Sequence, residues 1–470
     1  MKVLKLFFGF WLFTFSLFSQ DRLGLANSNY MPVTTNLFNP SSIVDSYTWL
    51  DINAVGASLF FHNNYLYIPA SQLAPSDRFT FNFSFDSDLG QFDNSFDKNI
   101  SADATVFLPS ASLVLGRSSV AINATSRNVI DIRNFPAQVA KGMYTGFQNA
   151  TELFGEKIDA DNMKANQLSW LEAGASFGTF VYTFDEHVVT AGISIKKLWG
   201  INGFAAKVDD WDYTTEDLTT MRIHKFKGEV ASASGFGSGK GYSGDLGITY
   251  KRFFKWSNQY RPNDKRTSCN RMPYRYKLMA AIVDLGSIKF TENATLTTYT
   301  SSDSDWNNYT HNNVSSASDI ANFFSTMGGS VQSAVTNSFS MGLPTAITAA
   351  ADYNLGYGFY AGANTVIGLP SLFLLGPQRP FQLAVMPRFE SRFFEMSIPV
   401  STINFQDVRL GLMMRLGWLT IGTDRLNTFL FGDVYAADVF VLLKLPFYTA
   451  PQCKEKKSSA KKAPFCPKFR

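Results

Sequence analysis

The chain has 470 residues, of which 17% are charged and 15% aromatic, and its formal net charge is only +4. A soluble protein of this length usually carries more charge, whereas many aromatic side chains with little charge are typical of strands that face lipid. Much of the positive excess lies between Lys454 and Arg470, so no basic face of a folded domain predicts nucleic-acid binding.

The N-terminus has the pattern of a secretory signal peptide. Lys2 and Lys5 precede an apolar stretch from Leu6 to Phe18, and a small residue, Ser19, follows it. The stretch is only about a dozen residues long, whereas a membrane-spanning helix needs roughly 20. We therefore expect residues 1–19 to be a signal peptide. Beyond it no apolar run is long enough for a spanning helix, so a barrel is the only form in which the exported chain could cross a membrane.

After residues 20–47, which we expect to form a periplasmic or plug segment, side chains alternate between apolar and polar over long stretches. From Val408 to Leu416, for example, every second residue is apolar. A soluble sandwich alternates too, but stretches of about 10 residues or more exceed its usual strands and match those that cross a membrane. The pattern predicts an all-β protein, a transmembrane antiparallel β-barrel over residues 48–447. About fourteen strands are predicted, at 48–61, 102–115, 117–127, 168–183, 187–199, 242–253, 275–290, 345–355, 357–367, 381–391, 393–403, 407–417, 418–424 and 433–447.

The connections between these strands alternate in length. Transmembrane barrels have short periplasmic turns and long extracellular loops, and the two kinds fall on opposite sides when counted back from the last strand. One polar connection, at 254–274, departs from the rule. Within the long loops we expect a hairpin arm at Phe79–Phe85 and a helix from Asp319 to Val335 over the barrel mouth. The short connections are 116–117, 184–186, 355–356 and 417–418, and the long ones are 62–101, 128–167, 200–241 and 291–344.

Two stretches resemble known barrel families. The sequence around Asn39 and Pro40, Asn-Leu-Phe-Asn-Pro-Ser-Ser over 36–42, resembles the Asn-Pro-Ala element that opens the fourteen-stranded fatty-acid-channel (FadL-like) barrels and their relatives in type IX secretion. Ser41 replaces the usual Ala, and the Gly that often follows is absent. The stretch from Arg409 to Phe447 resembles a large group of uncharacterised Bacteroidota outer-membrane barrel proteins. The first resemblance implies a hydrophobic ligand and an N-terminal plug.

Residues that could carry catalysis are sparse. None of the four histidines, His62, His187, His224 and His311, is spaced with another His or an acid as a metal pair would be. No GxSxG nucleophile elbow occurs either. We therefore predict no enzymatic activity, no catalytic residue and no metal or other cofactor.

Charged residues occupy the faces of the C-terminal strands that point away from lipid. Charges inside a barrel need partners, and residues on adjacent strands are within pairing reach. Two interpretations stay open, a paired network that fills the lumen and a charged pore or ligand path. The residues are Arg388, Glu390, Arg392, Arg409, Arg415, Asp438 and Lys444.

The segment 448–470 lies beyond the last predicted strand and is basic. Such an extension does not pack a core, so we expect a periplasmic tail that is either disordered or bound to a periplasmic or envelope partner. The three cysteines of the chain cannot all pair with one another. Cys453 and Cys466 either close a small disulfide loop in this tail or stay unpaired.

These features predict a protein of the cell outer membrane that contacts lipid. The main expectation for its function is a structural or envelope-complex component, because the Gly after the Asn39-Pro40 motif is missing. The alternative is a channel for uptake of a hydrophobic small molecule.

Overall fold

The computed structural model describes most of the chain. Three predicted segments lie outside the described residues: the signal peptide at 1–19, the arm at Phe79–Phe85 and the tail from Lys454 onwards. The described residues are 22–72, 89–255, 260–263, 271–307, 309, 317–327, 329, 331–371, 375–430 and 432–453.

The described chain forms one closed antiparallel β-barrel. Its first and last strands pair with each other, from Leu50 opposite Phe447 to His62 opposite Ala436. This closure confirms the predicted barrel of about fourteen strands. The wall strands are β1 Leu50–Asn63, β2 Lys98–Phe107 with Ser110–Leu115, β3 Ser118–Phe135, β4 Met163–Phe184, β5 His187–Thr215, β6 Thr220–Phe253, β7 Tyr274–Phe290, β8 Phe339–Gly342 with Ala346–Gly356, β9 Phe359–Gly368, β10 Gln382–Glu390, β11 Phe394–Ser397 with Val400–Ile403, β12 Asp407–Leu410 with Leu412–Leu416, β13 Leu419–Thr423 and β14 Ala436–Phe447.

Prolines interrupt three of the wall strands. Pro109, Pro344 and Pro399 stand at the breaks in β2, β8 and β11. Proline has no N–H group to donate to a neighbouring strand, so the ladder stops there. Each strand resumes beside the same neighbour after the break, and the barrel therefore stays closed.

The two ends of the barrel differ in their connections. At one end, which we call the short-turn end, tight turns join β2 to β3, β4 to β5, β8 to β9, β10 to β11 and β12 to β13. Gly116 and Gly417 lie in two of these turns with φ angles of 69° and 61°, a backbone conformation that favours glycine. The long connections that follow β1, β3 and β7 lie at the opposite, long-loop end, in agreement with the predicted alternation. The long connection from β6 to β7 joins them at the short-turn end and is the departure from the rule that the sequence also shows.

The prediction of a loop at 200–241 is wrong, because strands β5 and β6 include most of these residues. These strands have 29 and 34 residues, whereas crossing a membrane takes about 9 to 11. Their outer parts pair with each other, and β6 also pairs with the external strand Ala294–Asn307. Lys225 and Lys227 on this sheet form ion pairs with Asp210 and Asp209. Because polar and charged side chains cover the outer face, the sequence has the composition of a loop there.

An aromatic core lies under this external sheet, and we call it the aromatic cap. The helix Ala317–Thr326 packs into it, with Phe324 and Phe226 ring centroids 5.0 Å apart. The predicted helix ends nine residues early, because Val331–Thr336 pairs as a strand with residues 296–300. No helix of the described chain is long and apolar enough to cross a membrane. The buried members are Val139, Ile158, Ala160, Met163, Val208, Trp211, Tyr213, Met221, Ile223, Phe226, Val230, Tyr299, Trp306, Tyr309, Phe324 and Met327.

The outer surface of the wall carries an apolar band. On β6, Tyr242, Leu246 and Ile248 are at least half exposed. Exposed aromatic side chains ring the barrel at the short-turn end. An apolar band edged by aromatic residues is what a barrel presents to lipid. The aromatic residues of the ring are Tyr182, Phe184, Phe254, Tyr353, Phe359, Phe393, Trp418 and Phe447.

We expect Leu246→Arg to lower the free energy of unfolding by about 2–4 kcal/mol, because it places a charge within the apolar band. Val331→Arg is the matched control, since Val331 is 62% exposed on the external strand beyond the band. It should change the free energy by no more than about 0.5 kcal/mol. Urea unfolding in lipid vesicles, followed by heat-modifiable migration, measures both values. Equal losses would contradict the position of the band.

Candidate functional site: the plugged lumen

Residues 22–47 lie inside the barrel, and we call them the plug. Most of their side chains are buried. The segment forms three short helical turns, Leu23–Leu25, Pro32–Thr35 and Pro40–Ile43. The second and third turns begin with proline, whose missing N–H group would have no partner at that position anyway. The plug thus has little regular structure of its own, and the wall provides many of its hydrogen-bond partners.

The predicted motif Asn39-Pro40 docks on the wall through the side chain of Asn39. The amide Nδ2 donates to the carbonyl oxygens of Ile248 and Ala280 at 3.2 and 3.4 Å. The amide Oδ1 accepts from the backbone N–H of Ser41 at 2.9 Å and caps the turn that follows. The motif therefore joins a helical turn of the plug to strands β6 and β7.

Two wall glycines form the seat of this motif. A Cβ atom at Gly247 would lie 2.1 Å from Asn39 Oδ1, and one at Gly192 would lie 2.5 Å from the carbonyl carbon of Pro40. Only glycine leaves room for so close an approach of two backbones. The sequence indicated the motif but not its seat, because glycines are frequent along all of these strands.

Two buried carboxylates of the wall hold the plug near Asn29. Glu390 accepts from the backbone N–H of Asn29 at 3.2 Å and from its side-chain amide at 2.9 Å. Glu395 accepts from the hydroxyl of Ser28 at 2.8 Å, and Lys277 donates to the carbonyl oxygen of Asn27 at 2.9 Å. Hydrogen bonds to ionised groups are stronger than neutral ones, so these contacts fix the plug firmly.

Arg388 and Arg415 balance the charge of these carboxylates. Arg388 donates to Asp352 at 2.7 Å and also to Glu390. Arg415 donates to Glu395 through Nε at 3.1 Å. Three residues of the predicted lumen set, Arg388, Glu390 and Arg415, are thus brought together. Asp352 and Glu395 were missed, although the alternation along β8 and β11 already puts both on the inner face.

Arg409 and Asp438, also in the predicted set, lie in a separate cluster. Both are completely buried, and both interact electrostatically with Asp424. Asp424 in turn accepts from the backbone N–H of Leu23 at 3.0 Å. This cluster therefore holds the beginning of the plug.

Lys444 and Arg392 complete the predicted set, and only Lys444 lies in the lumen. Its ammonium group is 2.8 Å from Asp51, which also accepts from the backbone N–H of Val33 in the plug at 3.3 Å. Arg392 is a correction. Because β10 ends at Glu390, Arg392 falls in the turn to β11, and its exposed guanidinium stacks 4.6 Å from the ring centroid of Tyr448.

A second set of ion pairs, which the sequence did not single out, crosses the lumen on the long-loop side of the plug. We call it the central ion layer. Lys196 Nζ lies 2.8 Å from Asp245 and 2.9 Å from Asp284, and Arg127 lies 2.7 Å from the other oxygen of Asp284. Asp284 has a φ of 57° at an irregularity in the pairing of β6 and β7. Such a bulge changes the direction of a side chain, which alternation does not reveal.

Beyond the central ion layer, the inner wall becomes apolar, and we call this part the apolar layer. Arg127 stacks over the Trp170 ring at 4.8 Å and joins the two layers. Phe290 and Phe339 stack with ring centroids 5.2 Å apart. The buried members are Val129, Leu168, Trp170, Leu198, Ala205, Ala231, Ala233, Ile288, Phe290, Ala294, Phe339, Met341, Leu343 and Leu375.

Residues 375–379, in the connection from β9 to β10, lie in the lumen on the side of the long-loop end. Leu375 packs in the apolar layer, and the backbone N–H of Gln378 donates to Asp131 at 3.1 Å. Arg379 reaches Asp284 of the central ion layer. Among the described residues, the lumen is therefore occupied from the short-turn end by the plug and from the other end by this loop.

Three carboxylates gather outside the barrel, at the long-loop end. Oxygens of Asp159, Asp161 and Asp212 lie within 4.8 Å of one another. The charge of Asp161 raises the pKa of Asp159 above its ordinary value. Lys157 pairs with Asp212 at 3.2 Å, and nothing besides the carboxylates points to a bound ion in this part of the described chain.

Cys453 forms a disulfide at the short-turn end. The other two cysteines, Cys269 and Cys466, lie outside the described residues, so the pairing of Cys453 with Cys466 stays a prediction. The sulfur of Cys453 is 3.3 Å from the carbonyl oxygen of Asn263. Asn263 also accepts a hydrogen bond from Arg271 at 3.0 Å. Cys269 stands between these two residues in the chain.

Comparison with known proteins gives a family and several distant folds. Residues 40–424 match the model of a family of unknown function, DUF5723. No curated protein sequence matches the chain. The toluene transporter TbuX of Ralstonia pickettii is 8% identical with a TM-score of 0.42, covering 93% of this chain and 100% of that chain. The toluene transporter TodX of Pseudomonas putida is 8% identical with a TM-score of 0.38, covering 92% and 97% respectively.

We expect Lys196→Met to lower the free energy of unfolding by about 3–5 kcal/mol, because it leaves the buried carboxylate of Asp245 without its cation. Lys225→Met is the matched control. It removes an ion pair with Asp210 at 2.9 Å on the external sheet, where Lys225 is largely exposed, and should cost less than about 1 kcal/mol. Urea unfolding in vesicles compares the two. A loss for Lys196→Met no larger than for the control would contradict its buried pairing.

We expect Cys453 to pair with Cys269, because Asn263 and Arg271, on either side of Cys269 in the chain, are linked to each other and Asn263 touches Cys453. Peptide mapping without reduction should find a peptide that joins positions 269 and 453. Cys466→Ser should keep this bond, and Cys269→Ser should lose it. A peptide that joins 453 and 466 would instead support the pairing predicted from the sequence.

Proposed function

This chain belongs to the family of unknown function DUF5723, and we propose that it is an outer-membrane channel for uptake of a hydrophobic small molecule, closed by the plug. The observation that carries the proposal is the apolar layer inside the long-loop half of the barrel. Barrels that pass water-soluble solutes have a polar, water-filled interior. An apolar interior surface favours a solute that leaves water readily.

The apolar layer also has one side chain, Phe290, that a ligand could displace. The ring of Phe290 lies against Gly200 and Gly203, and a Cβ atom at either position would be 2.7 Å from a ring atom. The ring fills the space that the two glycines leave, so its movement would open a space of about the size of an aromatic ring. A hydrophobic solute would replace the contacts that the ring gives up.

Passage through the lumen requires the plug to move. The plug binds the wall through polar contacts at separate positions, such as Asn29, Ser28 and Asn39, and through apolar packing of side chains such as Phe38. A hydrogen bond contributes about 0.5–1.5 kcal/mol net, or about 1.5–3 kcal/mol with a charged partner, because water can replace either partner. Water that enters beside the plug could therefore take over these bonds one by one.

The proposed orientation puts the short-turn end in the periplasm. Short turns face the periplasm in barrels of this kind, and the long strands and aromatic cap then stand outside the cell. The ion pairs that cover the outer face of the external sheet suit a surface in water rather than lipid. A solute would meet the aromatic cap first and the plug last.

A second candidate is a structural or envelope-complex component that never opens. The observation in its favour is the anchoring of the plug by buried carboxylates, which bind several points of its backbone and side chains. The described lumen is also occupied from both ends. Under this candidate the plug is a permanent core, and no solute passes.

A reversible lock on the plug separates the two candidates. The hydroxyl oxygens of Ser41 in the plug and Thr249 in the wall are 2.6 Å apart, so cysteines at both positions should form a disulfide on oxidation. The matched control joins Ser118 and Thr179, whose hydroxyls are 2.9 Å apart on neighbouring wall strands. The readout is uptake of radiolabelled oleate and toluene by Gram-negative cells that express each variant.

If the channel proposal holds, the wild-type chain raises uptake above cells that carry an empty vector. The oxidised Ser41→Cys/Thr249→Cys variant should fall to the vector level and recover on reduction, whereas the wall control should be insensitive to oxidation. No difference between wild type and vector would favour the structural candidate. Uptake through the locked variant would contradict the role of the plug as the closure.

A further inference from the structure

An open crevice of about 550 Å³ lies at the short-turn end, between the plug and the wall. It faces away from the apolar layer. Its size is in the range of small-molecule sites, about 300–1,000 Å³. The residues that line it are Tyr30, Tyr47, Phe254, Arg271, Pro273, Asn354, Gly356, Tyr357, Gly358, Tyr360, Arg392 and Tyr448.

Tyrosine rings form much of the surface of the crevice. Tyr30 and Tyr47 of the plug meet edge to face with ring centroids 5.2 Å apart, and Tyr30 meets Tyr448 at 5.8 Å. Tyr357 stands at the rim, and its side chain is 99% exposed. One face of the Tyr30 ring lies under Arg415 and one face of the Tyr448 ring under Arg392, whereas the ring of Tyr357 is open to a ring-shaped ligand.

Two guanidinium groups line the crevice, and none of the described residues that line it is acidic. Arg271 is held in place because its Nη2 donates to Asn263 at 3.0 Å and to the carbonyl oxygen of Thr48 at 3.4 Å. Its Nη1 is buried and has no hydrogen-bond partner among the described residues. Buried donors are normally satisfied, so this atom keeps a hydrogen-bonding capacity that no described residue uses. Arg392 is supported by the ring of Tyr448 at 4.6 Å.

We propose that this crevice binds a small carboxylate whose ring-shaped body stacks on the tyrosines. A guanidinium is the side-chain group that best matches a carboxylate, and Nη1 of Arg271 is the donor that remains for it. The site does not depend on the proposed channel, since it lies at the opposite end from the apolar layer. Because Tyr30 and Tyr47 belong to the plug and Tyr357 to the wall, the ligand bridges the two and stabilises the seated plug.

The basic tail is a poor occupant of the same crevice. The segment after Cys453 carries Lys454, Lys456 and Lys457, which two arginine side chains would repel. A carboxylate ligand has the complementary charge. The ring-shaped body could belong to a free aromatic acid or to a sugar acid of the cell wall, and both have the same ring-plus-carboxylate chemistry.

Isothermal titration of the full chain in detergent tests the proposal. The probes are 3-phenylpropanoate and N-acetylmuramate, each beside its amide. At least one acid should bind, with its amide about tenfold weaker or more, because the amide lacks the charge that the guanidinium groups recognise. The acid that binds more tightly identifies the kind of ring. Failure of both acids to bind, or equal binding of acid and amide, would overturn the proposal.

Variants locate the binding. Arg271→Gln and Arg392→Gln should each weaken the acid about tenfold. Tyr357→Ala should weaken it without affecting the fold, since its ring is fully exposed. Arg275→Gln is the matched control, an exposed guanidinium 6.0 Å from the Phe254 ring at the same end but outside the crevice. Heat-modifiable migration confirms that each variant is folded.

Two results from these variants would overturn the proposal. The first is a loss of affinity for the acid in Arg275→Gln as large as that in Arg271→Gln. It would mean that any positive charge at this end attracts the acid. The second is a tenfold gain in affinity for a chain that ends at Cys453, which would mean that the tail occupies the crevice. Failure of the channel test leaves these measurements unaffected, because none of them involves passage of a solute.

Discussion

The structure depends on one constraint, that charged groups enclosed by the barrel must find partners inside it. An unpaired charge in a low-dielectric interior costs several kcal/mol, so each carboxylate of the lumen stands beside a cation or a hydrogen-bond donor. The wall does not provide all of these partners. Glu390, Asp51 and Asp424 each accept a hydrogen bond from the backbone of the plug. The plug is therefore part of the barrel's interior and not an appendage to it.

The same constraint explains why the lumen is layered. Polar contacts surround the plug, the central ion layer follows, and the apolar layer and aromatic cap lie beyond. Ionic groups cluster where they can pair with one another, and the apolar side chains form two clusters toward the long-loop end. The channel proposal uses this apolar region, whereas the carboxylate site uses the crevice at the opposite end. The plug and the central ion layer lie between the two regions.

Much of the wall could be predicted because the sequence of each strand alone carries the signals of a strand. Alternation, strand length and turns such as Gly116 and Gly417 depend on neighbours in the chain, and all fourteen strands were found from them. The errors have physical causes. The sequence predicts a loop for the outer parts of β5 and β6, because ion pairs cover their outer face. It predicts Arg392 in the lumen, because the alternation continues two residues past the end of β10.

By itself, the sequence determined that the chain is a barrel of about fourteen long strands with the Asn39-Pro40 motif ahead of the first, since periodicity and turn chemistry are local properties. Only the tertiary structure decided which charges meet. Asn29 and Glu390 are 361 residues apart, and Lys196 and Asp284 are 88 apart. Such pairs depend on barrel closure, strand register and a bulge at Asp284, all of which arise when distant strands come together. For the same reason, the crevice that joins plug and wall exists only in the closed barrel.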